Sequence, residues 1–159
     1  MKILLWSIGK THEPFIKTGI EDFTKRIGRC YPVEWNLIPP PKGAATLSPA
    51  DMKKKEGETI RSQLANLKDR YFVTLDEYGK QLTSDGLAKF LQGRALDGGK
   101  DLVFLIGGAY GLDETVLQLA DFRWSLSQLT LPHQLVRLIL TEQIYRACTI
   151  LRNEKYHHA

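Results

Sequence analysis

Leu102-Val103-Phe104-Leu105-Ile106 is an unbroken apolar run that leads straight into Gly107-Gly108. A strand with apolar side chains on both faces must be covered on both, which is the situation of a central strand in a parallel sheet flanked by helices. Ile3-Leu4-Leu5-Trp6-Ser7-Ile8, ending at Gly9, has nearly the same character, and Tyr71-Phe72-Val73-Thr74-Leu75 follows it. Val33 to Ile38 alternates and reads as a strand closed by Pro39-Pro40-Pro41, and Phe122 to Leu126 can form a last short strand.

Helical patterns fill the intervals. Phe15, Ile16, Ile20, Phe23 and Ile27 recur at helical spacing between Glu13 and Ile27, with Lys17, Glu21, Lys25 and Arg26 mainly on the wet side. Ser48-Pro49-Ala50-Asp51 opens a second helix: serine can cap, proline suits the first turn and aspartate favours the positive end of the helix dipole. That helix runs to about Leu67, and its early lysines, Lys53-Lys54-Lys55, read as a solvated face. Thr83-Ser84-Asp85 caps a third helix, a short fourth spans about Glu114 to Leu119, and a fifth runs from about Pro132 to Asn153. Strands alternating with helices make an α/β fold with a mainly parallel sheet. No repeat or linker divides the 159 residues, so one domain over 1–159 is expected.

A net charge of +4 favours a polyanionic partner without demanding one. Cys30 and Cys148 lack CxxC spacing and a histidine cluster, so neither a disulfide scaffold nor a metal site is expected. The apolar start is too short for a signal peptide, and no stretch reaches the roughly 18 apolar residues of a membrane span. A soluble cytoplasmic protein with no membrane partner is the expectation.

Ligands of open α/β sheets bind at the carboxyl ends of strands. Three such ends carry candidate residues. Leu75-Asp76 ends one strand. Gly107-Gly108-Ala109-Tyr110-Gly111 follows another, and reads either as a tight turn or as a loop whose bare backbone lets a ligand come close. It is neither a GxGxxG fingerprint nor a Walker A loop. The segment Ser125 to His133 is either a connector packed on the core or a loop that wraps an adenine ring with leucines. The last helix is apolar nearly all round, so it is either central within one chain or covered by a second copy. On it Glu142 and Arg146 can pair at i,i+4, whereas Arg137 has no acid at that spacing and is expected to be freer to meet a phosphate. The tail from Asn153 to Ala159 is either frayed or able to stack Tyr156 on a base beside its histidines.

Taken together, MKILLWSIGK, KEGE at Lys55 to Glu58, VTLD at Val73 to Asp76, LIGGxxGL at Leu105 to Leu112, SLSxLTLPHQLVR at Ser125 to Arg137, EQIYRA at Glu142 to Ala147 and the closing NEKYH resemble the RlmH family of ribosomal RNA methyltransferases, in the SPOUT superfamily. The resemblance covers the whole chain. It implies a sheet with a deep C-terminal trefoil knot, a homodimer packing its knots together, and S-adenosylmethionine held by Leu75, Gly107-Gly108 and the run Leu126, Ser127, Gln128, Leu129, Thr130 and Leu131. The implied reaction is methylation of N3 of a pseudouridine in the decoding-centre stem-loop of 23S rRNA in the 70S ribosome. Arg137, Tyr156 and His157 match family positions for substrate binding or catalysis. His157 or His133 is a candidate base, since histidine titrates near neutrality. The ending His158-Ala159 departs from the basic residue the family often carries after YH. No metal is expected. Competing readings are a non-catalytic ribosome-binding factor and a SPOUT enzyme acting on tRNA. A dinucleotide oxidoreductase is opposed by the GGxxG spacing.

Overall fold

The computed structural model describes residues 1–158. Five strands, β1 (Ile3–Ile8), β2 (Val33–Ile38), β3 (Arg70–Gln81), β4 (Asp101–Ile106) and β5 (Phe122–Ser125), form one sheet in the order β2-β1-β4-β3-β5. Every pairing in it is parallel. The helices are α1 (Pro14–Ile27), α2 (Pro49–Ala65), α3 (Ser84–Leu96), α4 (Glu114–Leu117) and α5 (His133–Leu151), with a 3-10 turn at Ala44–Thr46 that the sequence does not announce.

The apolar runs serve two faces, as strand geometry requires. Ile3, Leu5, Leu102, Phe104 and Val73 pack with Ile27, with Leu87, Ala88 and Leu91 of α3, and with Leu140, Ile144 and Ala147 of α5. Leu4, Trp6, Ile8, Val103 and Leu105 face the other way, onto Ile60 and Leu64 of α2 and Val116 of α4. Each fully buried aliphatic or aromatic side chain contributes about 1.5–3 kcal/mol, so the central strands anchor both layers.

Helix starts follow the local chemistry. Ser48 Oγ accepts from the Asp51 N–H at 3.1 Å, and Thr83 Oγ1 accepts from the Gly86 N–H at 2.9 Å. Two expectations need correction. Phe15 was placed on the apolar face of α1, yet it is 71% exposed in the first turn. And β3 does not stop at Leu75: its backbone continues through Asp76 to Gln81, with a register shift between Leu75 and Lys80, and pairs again with β5 at Trp124 and Ser125. The polar run Asp76-Glu77 looks like a loop in sequence, whereas a bulge lets the strand resume.

α5 lies on the sheet, packed against both α1 and α3. It is the central helix of one face, so much of its apolar surface is satisfied within the chain. Leu135, Val136, Leu138, Ile139, Ile150 and Leu151 stay half-buried. Both cysteines are free thiols. No helix among the described residues is long and apolar enough to cross a membrane.

Candidate active site

The strand order reverses between β1 and β4, the usual place for a ligand in a doubly wound sheet. Here that crevice is closed. Arg137 of α5 is fully buried against the end of β1. Its Nε donates to Ser7 Oγ at 2.9 Å, Nη2 to the Ile8 carbonyl at 2.9 Å and Nη1 to the Thr11 carbonyl at 2.7 Å, with His12 Nδ1 3.2 Å from Nη1. Gly9 makes room for it, with φ +125° and a missing Cβ that would stand 2.7 Å from Nη2. The expectation that Arg137 is free to meet a phosphate is therefore overturned: its donors are spent on the Ser7 hydroxyl and on the Ile8 and Thr11 carbonyls, all distant in sequence.

The open cleft, about 580 Å³, lies one strand over, at the carboxyl ends of β3, β4 and β5. That volume suits a small-molecule cofactor. Its walls are the three loops singled out in the sequence: Leu75 with Asp76 to Tyr78, Gly107-Gly108 with the residues to Leu112, and Leu126, Ser127, Leu129, Thr130 and Leu131. His133 and Val136 close it from α5, and Lys53 from α2. Of the candidate cofactor residues only Gln128 lies outside the wall, exposed to solvent.

The loop after β5 is shaped by its own hydroxyls. Ser125 Oγ donates to the Ser127 carbonyl at 2.8 Å, Ser127 Oγ accepts from the Leu129 N–H at 3.0 Å, and Thr130 Oγ1 donates to Glu77 Oε2 at 3.2 Å. With those groups committed, the loop offers a ligand its leucines and main chain. Tyr78, Tyr110 and Leu129 stand exposed at the rim, Tyr78 at 89%. Among the described residues, no group of three or more His, Cys, Asp or Glu side chains could hold a metal.

Burial, and then the charge of Arg137, hold His133 below the ordinary histidine value. Its imidazole is neutral at neutral pH and can accept a proton. Glu56, on α2 behind the glycine loop, is only 7% exposed, and burial alone pushes its carboxyl up to about 6. A carboxyl that binds its proton more tightly when folded costs stability as pH rises past its unfolded value of 4.5, up to about 2 kcal/mol above the folded value. Glu56→Gln should therefore be the more stable protein in urea unfolding at pH 8, with the gain gone by pH 4. An equal gain at both pH values would refute this account.

Tyr156 and His157 of the tail are docked rather than frayed. Tyr156 Oη donates to Glu142 Oε1 at 3.1 Å, its ring lies 4.8 Å from Tyr145, and the Arg146 guanidinium sits over it at 4.7 Å. Arg146 pairs with Glu142 at 2.6 Å, as the i,i+4 spacing indicates, and reaches His157 Nδ1 at 3.3 Å. His157 Nε2 lies 3.9 Å from Asp85 Oδ2. Tyr156 and His157 thus dock beside α3 and the far half of α5, and neither lines the cleft. Ala159 lies outside the described residues. Sequence reasoning missed Lys53 at the cleft wall and Glu56 behind the glycine turn. A signal existed: Ile60 and Leu64 mark the buried stripe of α2, and one turn back along it stands Glu56.

Comparison with known proteins gives this geometry a family. A Flavobacterium johnsoniae relative named ribosomal RNA large subunit methyltransferase H is 44% identical over 158 residues, which cover 99% of each chain. A Cytophaga hutchinsonii relative of the same name is 40% identical, over 99% of this chain and 100% of its own. Among solved structures, a Bacillus anthracis protein described as an RNA methyltransferase superposes with a TM-score of 0.57 at 19% identity, covering 92% of this chain and 94% of that one. A Legionella pneumophila methyltransferase solved with SAM bound gives 0.52 at 11% identity, over 92% of this chain and 66% of its own. At these identities the two structures speak for the fold alone. Residues 1–157 match the family described as "Predicted SPOUT methyltransferase", and with a parallel sheet whose cleft is walled by three strand-end loops, the chain belongs to the SPOUT methyltransferase family.

Proposed function

We propose that this methyltransferase, a single SPOUT domain over 1–159, transfers a methyl group from S-adenosylmethionine to N3 of a pseudouridine. The substrate is the decoding-centre stem-loop of 23S rRNA in the 70S ribosome, in the cytoplasm. The observation that carries the reading is the cleft at the ends of β3, β4 and β5, walled by backbone-rich loops with leucines for an adenine and a bare glycine turn. Full-length relatives named for ribosomal RNA methylation support the substrate class. The reading includes a deep trefoil knot and a homodimer, and the half-buried apolar side chains of α5 are consistent with a covering second copy.

When bound, S-adenosylmethionine supplies an electrophilic methyl group on a sulfonium. The chain's own contribution is chiefly positioning. Leu126, Leu129 and Leu131 flank the site for the adenine, and Gly107-Gly108 let the main chain approach closely. In this reading His133 accepts the N3 proton, supported by its position at the cleft wall and by a pKa held below the ordinary histidine value. Replacing it by alanine should lower kcat/KM about 10²-fold. It should also abolish the acidic limb of the pH profile, which in the unaltered enzyme is shifted to the acid side of an ordinary histidine because burial and the Arg137 charge lower the folded pKa. A variant that keeps the limb would remove His133 from proton transfer.

The direct test is transfer of labelled methyl to 70S ribosomes, free 50S subunits and tRNA from cells lacking the protein. Label in 23S rRNA, strongest on 70S particles, is expected. Label confined to tRNA would overturn the substrate, and no label with no cofactor binding would leave a ribosome-binding role.

A further inference from the structure

The β4–α4 connection is gripped from outside the cleft by one face of α2. Gly57 brings the helix to within 3.1 Å of the Asp113 side chain, measured from its missing Cβ, and Arg61 pairs with Asp113 at 3.6 Å and hydrogen-bonds Thr115. At the cleft end of the same connection stands Glu56. A Cβ on Gly108 would lie 2.8 Å from Glu56 Oε2 and 3.1 Å from Oε1, so the carboxyl is wedged directly behind the glycine turn. The turn's own fastening is the Gly108–Gly111 bridge, with the Gly111 N–H on the Gly108 carbonyl at 3.1 Å.

We propose that Glu56 is a positioning residue of the methyl-donor site: its carboxyl, set behind Gly108, holds the Gly107-Gly108 turn in the shape that receives the cofactor. The inference rests on the S-adenosylmethionine reading above and adds to it a residue that touches no ligand. Its place gives a role to a buried carboxyl where an apolar side chain would cost less. Burial without a compensating charge raises its pKa, so the carboxylate adds nothing to stability.

The test measures S-adenosylmethionine affinity by calorimetry, and kcat on 70S ribosomes at saturating cofactor, for Glu56→Gln, Glu56→Ala, Gly108→Ala and the double variant Glu56→Ala/Gly108→Ala. Glu56→Ala should weaken cofactor binding about tenfold, equivalent to about 1.4 kcal/mol, and leave kcat little changed. Glu56→Gln, of the same shape, should restore near-normal affinity. Gly108→Ala should weaken binding in the native background and cost little more once Glu56 is alanine, because the added methyl then has room. Should Glu56→Ala fail to fold, Glu56→Asp, which draws the carboxyl back by one methylene, reads the same coupling. Unchanged affinity in Glu56→Ala, or a Gly108→Ala penalty equal in both backgrounds, would overturn the proposal. Absence of cofactor binding by the unaltered protein would instead sink the cofactor reading itself.

Discussion

Arg137→Met should lower the thermal unfolding midpoint by about 6–12 °C, since a loss of about 3 kcal/mol moves a domain of this size by roughly 2–4 °C per kcal/mol. The loss comes from the acceptors left behind. The Ile8 and Thr11 carbonyls and Ser7 Oγ each lose a donor, and an unsatisfied buried group costs about 1–3 kcal/mol. Arg137→Lys should recover only part of the stability, because a lysine ammonium cannot span all three acceptors as the guanidinium fork does. If Arg137 served RNA phosphate instead, Arg137→Met would leave the midpoint unchanged and weaken RNA binding alone. A melting curve with ribosome binding measured alongside separates the two.

Truncation after Lys155 removes Tyr156 and His157, which the family resemblance assigns to substrate binding or catalysis, and should cut methyl transfer about 100-fold, the scale of lost substrate positioning, while S-adenosylmethionine affinity stays close to that of the full chain. The geometry gives the reason for the second half. His133 lines the cleft, and Arg146, which holds His157, lies 13 residues further along α5, about 20 Å at 1.5 Å per residue. Reacting groups must approach to about 3–3.5 Å, so a docked tail cannot serve the cleft of its own chain. The expectation is that, in the proposed homodimer, it serves the other copy's. Mixing the truncated chain with a cleft-disabled chain such as Gly108→Val should then restore activity that neither has alone. Two inactive proteins that stay inactive when mixed, despite forming mixed dimers, would refute action across the dimer.

The sheet was legible because central parallel strands leave long apolar runs and amphipathic helices leave 3.6-residue periods. The cleft was legible because ligands gather at strand ends: Leu75, Gly107, Gly108, Leu126, Ser127, Leu129, Thr130 and Leu131 all reach its wall. Other features lay beyond local pattern. Arg137 looked unpaired because only its i±4 neighbours were weighed, whereas its partners are more than 120 residues away in the chain. The continuation of β3 past Leu75 depends on Trp124 and Ser125 accepting it as a neighbour. Glu56 was hidden by its charge beside three lysines, although it continues the stripe of Ile60 and Leu64. The tail's docking on Glu142 and Arg146 cannot be read from its own residues, which are those of an ordinary frayed end.

The position of α5 has a consequence for biogenesis. The helix that fills the middle of one face, between α1 and α3, is the last to be synthesised. At about 5–20 residues per second, a nascent chain that has already made all five strands still waits for Leu140, Ile144 and Ala147 to leave the exit tunnel. Until then Phe104, Leu91 and Ile27 lack the cover that α5 supplies, and the partial chain presents an apolar trough to chaperones at the tunnel mouth. Stalling translation before residue 140 should leave a protease-sensitive chain, and release past residue 151 should close it in one cooperative step.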